Sequence, residues 1–364
     1  MTMRIIKINK TSIESDVKKC LKEIGYIPKK NKVFIKPNIV SIFKPESPCI
    51  TNPKVVAGII DYLHDLGIND IIIGEGSVSP EFNKVVDTSG YSKLCKEKNV
   101  GLLNLYKTPR RKYNFLNGPL FLPKILDEYE YINVAKLKTH IQTTVSLCIK
   151  NQKGLLNIKD RKLFHKTLHK SIAELYKMIQ PDLSIIDASN GLEGNGPGVM
   201  GKEIKNLNLL ILGDDSWEVD AVATWLMGIK LSTVKHLTLI NKNSNKIRKY
   251  LREIKRYQKR FKLPSATYKF LKITYEWSEN TCSGCSSKMS LIKQEAFRNP
   301  VLFLKLVYHS LFGRLCIITG KPENKERKGK IICIGNCSKE FALKHGLNFV
   351  QGCPPKLKDI LKAI

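Results

Sequence analysis

Five short runs rich in β-branched and aliphatic residues, Lys32–Ile35, Asp70–Ile73, Tyr131–Val134, Leu183–Ile186 and Leu207–Leu212, constrain the fold of this chain most. They lack the alternation of a half-exposed strand, so each fits a sheet covered on both faces. Amphipathic segments lie between them. A helix opens at Ser12 or Ser15 and runs to Ile24 before Gly25, a second starts at Thr51-Asn52-Pro53 and stops at Gly67, and a third spans residues 84–98. Thr51 or Asn52 supplies the cap of the second helix and Pro53 its first turn. Strand, helix, strand in succession predicts an α/β domain with a mostly parallel sheet flanked by helices.

In such sheets ligands sit at the carboxyl ends of strands, so those ends are the places to look for chemistry. The first run leads to Lys36-Pro37-Asn38 and the second to Gly74-Glu75-Gly76-Ser77. The third leads to Lys136-Leu137-Lys138-Thr139-His140, and Cys148–Gly154, with Lys150 and Lys153, follows a helix-like segment. The fourth delivers Asp187 and a glycine-rich loop, Asn190–Gly198, carrying Glu193 and Asn195. The fifth reaches Gly213-Asp214-Asp215, with Asp220 heading the next helix. Clustered lysines suit a phosphate or carboxylate, so Lys36, Asn38, Lys138, His140, Lys150, Glu193 and Asn195 are expected to bind an anionic small molecule. Asp187 and Asp220, with Lys138, are the expected catalytic groups, the acids serving proton transfer or Mg²⁺. His165 and His169 lack the H-E-x-x-H carboxylate and are not read as a zinc pair.

The 364 residues exceed one ordinary core and predict a chain of about two domains. Met1–Lys10 has no apolar leader, and Val301–Phe312 is broken by Lys305 and His309. That run falls short of the ~20 apolar residues of a membrane span. A soluble cytoplasmic protein without a transmembrane segment is expected, and in reducing cytosol clustered cysteines read as metal ligands or redox groups. Cys20, Cys95 and Cys148 stand alone and read as core. The net charge is +30, much of it in residues 244–262, where Ile247, Leu251, Ile254, Tyr257 and Phe261 recur at helical spacing. This predicts a basic amphipathic helix facing a nucleic acid, a membrane surface or an acidic protein such as an electron carrier.

The tail holds Cys282-Ser283-Gly284-Cys285, Gly335-Asn336-Cys337 and Gly352-Cys353-Pro354-Pro355. A C-x-x-C pair offers two thiolates from one turn, and two more cysteines complete a four-sulfur set. Strands at Lys272–Trp277, Cys316–Thr319, Lys330–Ile334 and Asn348–Val350 would bring these loops to one sheet edge, with Cys316 and Cys333 inside strands as core. The expected cofactor is a [4Fe-4S] cluster on Cys282, Cys285, Cys337 and Cys353, the alternative being zinc on the same thiolates. The expected divisions are 1–240 for the α/β domain, 241–272 for a basic helical connector and 273–364 for the four-cysteine segment.

Lys36-Pro37-Asn38, Thr51-Asn52-Pro53, Leu137-Lys138-Thr139-His140, Lys150-Asn151 with Gly154, Asp187 with Glu193–Pro197, and Gly213-Asp214 with Asp220 occur in an order that resembles the domain-of-unknown-function family 362. The resemblance covers roughly residues 3–230 and implies an α/β domain in a redox setting, since members are often described as iron–sulfur proteins. The cysteine order of the tail is similar to that of the small electron-transfer subunits of nickel–iron hydrogenase and respiratory complex I, with more compact spacing. The function these readings support is an iron–sulfur oxidoreductase or electron-transfer protein. Its alternatives are a scaffold or nucleic-acid-binding protein with a structural metal, and a ligase or transferase acting on a phosphorylated substrate.

Overall fold

The β-branched runs pair side by side. The computed structural model describes residues 3–77, 81–116, 118–164, 167–196, 198, 201–265, 267–278, 281 and 283–364. Two units form, Met1–Pro197 with Gly201–Leu263, and Pro264–Ile364 with Gly198–Met200. No helix among the described residues is long and apolar enough to cross a membrane.

The strands of the first unit are β1 (Arg4–Lys7), β2 (Lys32–Pro37), β3 (Asp70–Glu75), β4 (Gly101–Asn104), β5 (Arg110–Tyr113), β6 (Leu120–Pro123), β7 (Glu130–His140), β8 (Thr144–Ser146), β9 (Leu183–Gly194), β10 (Gly201–Ile204) and β11 (Leu209–Gly213). The main sheet has the order β1-β11-β9-β7-β2-β3-β4, with β8 beside β7 and β10 beside β9. Strands β9, β7, β2, β3 and β4 are parallel, while β11 and β1 extend the sheet antiparallel. Strands β5 and β6 form a separate hairpin.

Both faces are covered, as the apolar runs require. Val33, Ile35, Ile71, Ile73, Ile132 and Val134 pack on one side with the helices Ile13–Glu23, Pro53–Asp65, Phe82–Thr88 and Tyr91–Glu97. Phe34, Tyr131, Ala135, Ile186, Leu209 and Ile211 pack on the other with the helices Leu168–Met178, Ser216–Leu226 and Arg248–Ile254. Asn52 caps the second helix by accepting from the Lys54 N–H at 3.0 Å.

Several segments differ from the sequence reading. Strand β7 does not stop at Val134 but runs eleven residues to His140, so Lys136, Lys138 and His140 stand on a strand rather than after it. Its ladder continues because β8 pairs Lys138 with Ser146 and His140 with Thr144, and the polar side chains find partners inside. Strand β9 likewise runs through Asp187 and Glu193 to Gly194, absorbing half of the expected glycine loop. The helix of residues 84–98 is two helices parted at Gly90, whose φ is +80°. The basic helix 244–262 is helical over Arg248–Ile254, flanked by 3-10 turns at Ser244–Ile247 and Lys255–Tyr257, and is non-helical beyond. There the N–H groups of Lys259 and Phe261 donate to the carbonyls of Leu226 and Met227, at 2.8 and 2.9 Å, which satisfies the backbone without a helix. Ile247, Tyr250, Ile254 and Phe261 are buried in the core of the first unit, so this segment closes that unit rather than linking it to the next.

In the second unit, β12 (Thr267–Phe270), β13 (Ile273–Trp277), β14 (Leu315–Thr319), β15 (Lys330–Ile334) and β16 (Asn348–Val350) form a sheet in sequence order. Strands β13 to β16 are parallel and β12 is antiparallel to β13. Cys316, Ile318, Cys333 and Ala342 share a small core.

Helices Ile13–Glu23 and Pro53–Asp65 cross where Gly58 has no side chain. A Cβ there would lie 2.4 Å from the Glu14 carbonyl oxygen and 2.7 Å from the Val17 Cβ. Gly58→Ala should therefore lower stability by about 1–3 kcal/mol, read as a lower urea midpoint at unchanged slope.

Candidate functional site

At the carboxyl ends of β2, β3 and β7 the structure buries charge in a connected network. Lys36 is fully buried, and its amine lies 3.1 Å from each Glu75 carboxylate oxygen. It also donates to Asn151 Oδ1 at 3.3 Å and the Pro37 carbonyl at 3.1 Å. Glu75 in turn accepts from the N–H groups of Ile39 and Gly76, at 3.0 and 2.8 Å. Asn151 is fixed by Asn133, whose Oδ1 accepts from Asn151 Nδ2 at 2.8 Å, and receives a bond of the same length from Asn38 Nδ2. Gly154 presses on this pair: a Cβ there would stand 2.5 Å from the Lys36 amine.

Lys138 extends the network without a carboxylate of its own. Its buried amine donates to Asn38 Oδ1 and to the Cys49 carbonyl, each at 2.6 Å. Burial lowers its pKa to about 8; Cys49 and Glu75 oppose that shift, while Lys136 and Lys36 add to it. Lys150 has its pKa held well below the usual lysine range by burial and by Lys153, Lys138, Arg161 and Lys36. His140 accepts from the Gln142 N–H at 3.1 Å, and burial with Lys150, Lys153 and Lys138 holds it neutral. Three expected ligand residues, Lys36, Asn38 and Lys138, are thus in one hydrogen-bonded array, and His140 and Lys150 lie in its field.

Arg161, which carried no signal in the sequence, donates to the carbonyls of Gly76 and Gly154 and stacks over Tyr106 at 5.2 Å. His236 was also missed. It is fully buried against His169, with ring centroids 5.9 Å apart, and among the described residues neither ring nitrogen has a hydrogen-bond partner. A lone histidine in an apolar run gives no sequence warning of this.

The carboxylates have defined partners. Asp187 accepts from the Lys136 amine at 2.8 Å, the Asn52 N–H at 2.8 Å, the Ser189 N–H at 2.9 Å and the Ser189 hydroxyl at 2.6 Å. Asp220 lies within the helix Ser216–Leu226 rather than at its head, which Asp215 caps. Its carboxylate accepts from the N–H groups of Cys148 and Ile149, at 2.8 and 2.9 Å, at the start of the helix Cys148–Asn151. Glu193 accepts from the Lys262 N–H at 2.8 Å, and Asn195 follows the end of β9.

In the second unit the cysteine loops follow parallel strands. Asn336 joins two of them: its N–H donates to the Gly352 carbonyl at 2.9 Å, and its Oδ1 accepts from the Gly352 N–H at 2.9 Å. Cys285, buried on the helix Ser283–Ala296, reaches the same place, because a Cβ on Gly335 would lie 2.9 Å from its sulfur. Gly335, at φ +89°, is therefore required both by conformation and by the approach of that thiol. Cys337 and Cys353 are exposed, whereas Cys316 and Cys333 are buried in strands. Cys282 lies outside the described residues, and among those described no three His, Cys, Asp or Glu side chains are placed to hold one metal ion.

A family model described as "Domain of unknown function (DUF362)" matches residues 33–225, the span that holds the lysine network. The chain belongs to this family. It is also similar to the thylakoid-associated protein sll1697 of Synechocystis, with 27% identity over 221 residues, 58% of this chain and 67% of that protein.

The Asp220 carboxyl has its pKa raised from 3.8 to about 7, chiefly by burial and against the two N–H bonds it accepts. A folded state that holds the proton more tightly than the unfolded chain loses stability as pH rises between those values. Asp220→Asn should flatten the pH 4–7 slope of unfolding free energy by up to about 1.4 kcal/mol per pH unit, measured by urea titrations across that window.

Proposed function

We propose that this chain is an iron–sulfur protein, an oxidoreductase or electron-transfer protein, whose family domain holds an anionic ligand. The observation that carries the reading is the meeting of Cys285, Gly335–Cys337 and Gly352–Cys353, stitched by Asn336, at the carboxyl edge of a parallel sheet. Cysteines carried on neighbouring loops beside glycines suit a soft metal centre better than a disulfide or a packed core. Cys282, Cys285, Cys337 and Cys353 would hold a [4Fe-4S] cluster, which supplies one-electron transfer when bound. The chain's part is to fix the loops, shield the Cys285 side and leave Cys337 and Cys353 open toward a donor or acceptor protein.

The family domain supplies the anion site. The pairs Lys36–Glu75 and Lys136–Asp187 are neutral as units, but Lys138 meets only neutral acceptors, and Lys150 has no side-chain hydrogen bond or ion pair among the described residues. Lys138 is a buried cation without a counter-ion, which is costly, and a bound oxyanion removes that cost. Lys138 and Lys150 would contact the anion, with Asn38, His140, Glu193 and Asn195 around it. Asp187 and Asp220 remain the acids proposed for proton transfer, Asp187 exchanging a proton with the Lys136 amine it accepts from and Asp220 held in place by the Cys148 and Ile149 N–H groups.

Anaerobically purified protein should carry about four irons and four sulfides per chain and give a paramagnetic signal on one-electron reduction. One zinc without sulfide would overturn the cluster. Cys337→Ala should lose the iron while keeping its fold by circular dichroism; normal iron content would remove Cys337 from the ligand set. Independently, Lys150→Ala should weaken binding of inorganic phosphate by on the order of 10-fold in calorimetric titration, the loss of one charge-assisted hydrogen bond.

A further inference from the structure

The second unit carries a feature that neither the cysteines nor the anion site uses. The helix Pro300–Leu311, capped by the Asn299 side chain on the Leu302 N–H at 3.1 Å, packs inward through Leu302 and Ser310. Its opposite side is apolar and bare. Val301, Leu304, Tyr308 and Leu311 follow at steps of three and four residues, which places them on one stripe. Phe297 before the helix and Phe312 at its end are each 78% exposed, and Leu304 is 65% exposed.

The stripe continues onto a neighbouring turn. Between β12 and β13, Phe270 and Leu271 project at 58% and 67% exposure. The Lys272 amine donates to the Leu311 carbonyl, and the Leu315 N–H donates to the Lys272 carbonyl at 3.2 Å, so this turn abuts the end of the helix. Scattered exposed apolar residues are ordinary in a folded protein, but a contiguous set of this size marks a surface that is covered in use.

The charge around it selects the cover. Lys269, Lys272, Arg298, Lys305 and Arg314 border the patch, all exposed, and the helix itself holds no Asp or Glu. Among the described residues none of these five cations is in an ion pair. An aromatic and aliphatic stripe bordered by these cations matches the boundary of an anionic bilayer, where apolar side chains enter the acyl region and Lys and Arg meet headgroup phosphates. Apolar burial and headgroup attraction then add. A second copy of this face would bring like charges together, which disfavours self-pairing.

We infer that the face formed by Val301, Leu304, Tyr308, Leu311 and Phe312, with the Phe270–Leu271 turn, docks the protein peripherally on an anionic lipid surface. The helix lies in the interface without crossing it, consistent with its twelve residues. The inference is independent of what the cysteines bind.

The test is flotation of the full-length chain with vesicles of phosphatidylcholine alone or containing phosphatidylglycerol at about one lipid in three. Binding should require the anionic lipid, weaken at least 10-fold between 0.1 and 0.5 M salt as screening grows, and fall at least 10-fold again in the double variant Leu304→Ser, Phe312→Ser. Both side chains are exposed, so the variant should keep the wild-type melting temperature. Leu304→Trp supplies a second reading, since its emission should shift to the blue only on anionic vesicles. Equal binding to neutral and anionic vesicles would overturn the inference. So would unchanged flotation of the double variant, or a dimer in sedimentation that the double variant converts to monomer.

Discussion

The buried pair of Lys36 and Glu75 holds the carboxyl edge of the main sheet together. It ties β2 to β3, receives the backbone of Ile39 and Gly76, and through Asn151 draws in the turn after β8. Gly154 lies against it so closely that a methyl group would collide with the amine. A pair of this kind adds little net stability, because desolvation offsets the attraction, but removing one partner leaves an uncompensated charge. What it secures is position. With that pair set, Asn38 is aimed at Lys138, and the second pair, Lys136–Asp187, fixes the start of the helix Pro53–Asp65 through the Asn52 N–H.

Electrostatically the edge is asymmetric. Lys36 and Lys136 are matched to carboxylates while Lys138 is held by neutral oxygens, so the balance of charge is positive where the strands open. The histidines there are neutral because burial and the same lysines disfavour a further charge. A site built this way discriminates by charge first and by hydrogen-bond geometry second, which suits a small oxyanion.

Much of the architecture was legible from residues alone. Val33–Ile35, Ile71–Ile73 and Ile132–Val134 are apolar on both faces, and that forces a covered parallel sheet wherever they fall. Asn52-Pro53 announced its helix by cap chemistry, which is local. The stretch Lys136–His140 reads from sequence as the connection after a strand because polar residues inside a central strand contradict the periodic signal. They stay in the ladder only because Asp187, Asn38 and the Cys49 carbonyl, distant in sequence, receive their charges. The basic segment after Ser244 was read as one helix for the converse reason: its apolar spacing is helical, but carbonyls at the end of the helix Ser216–Leu226 capture its backbone from Lys259 onward.

The sequence by itself determined the layers of the first unit, the four parallel strands of the second and the residue types available for chemistry, since these follow from periodicity, caps and side-chain nature; the edge strand Thr267–Phe270 fell inside the expected connector. The tertiary structure alone decided which charges are cancelled and which are left over. It paired Lys36 with Glu75 across 39 positions and left Lys138 on neutral oxygens. It also brought Cys285 against Gly335 and left the stripe from Val301 to Phe312 uncovered. Those outcomes depend on distances between residues far apart in the chain, and no local pattern encodes a distance of that kind.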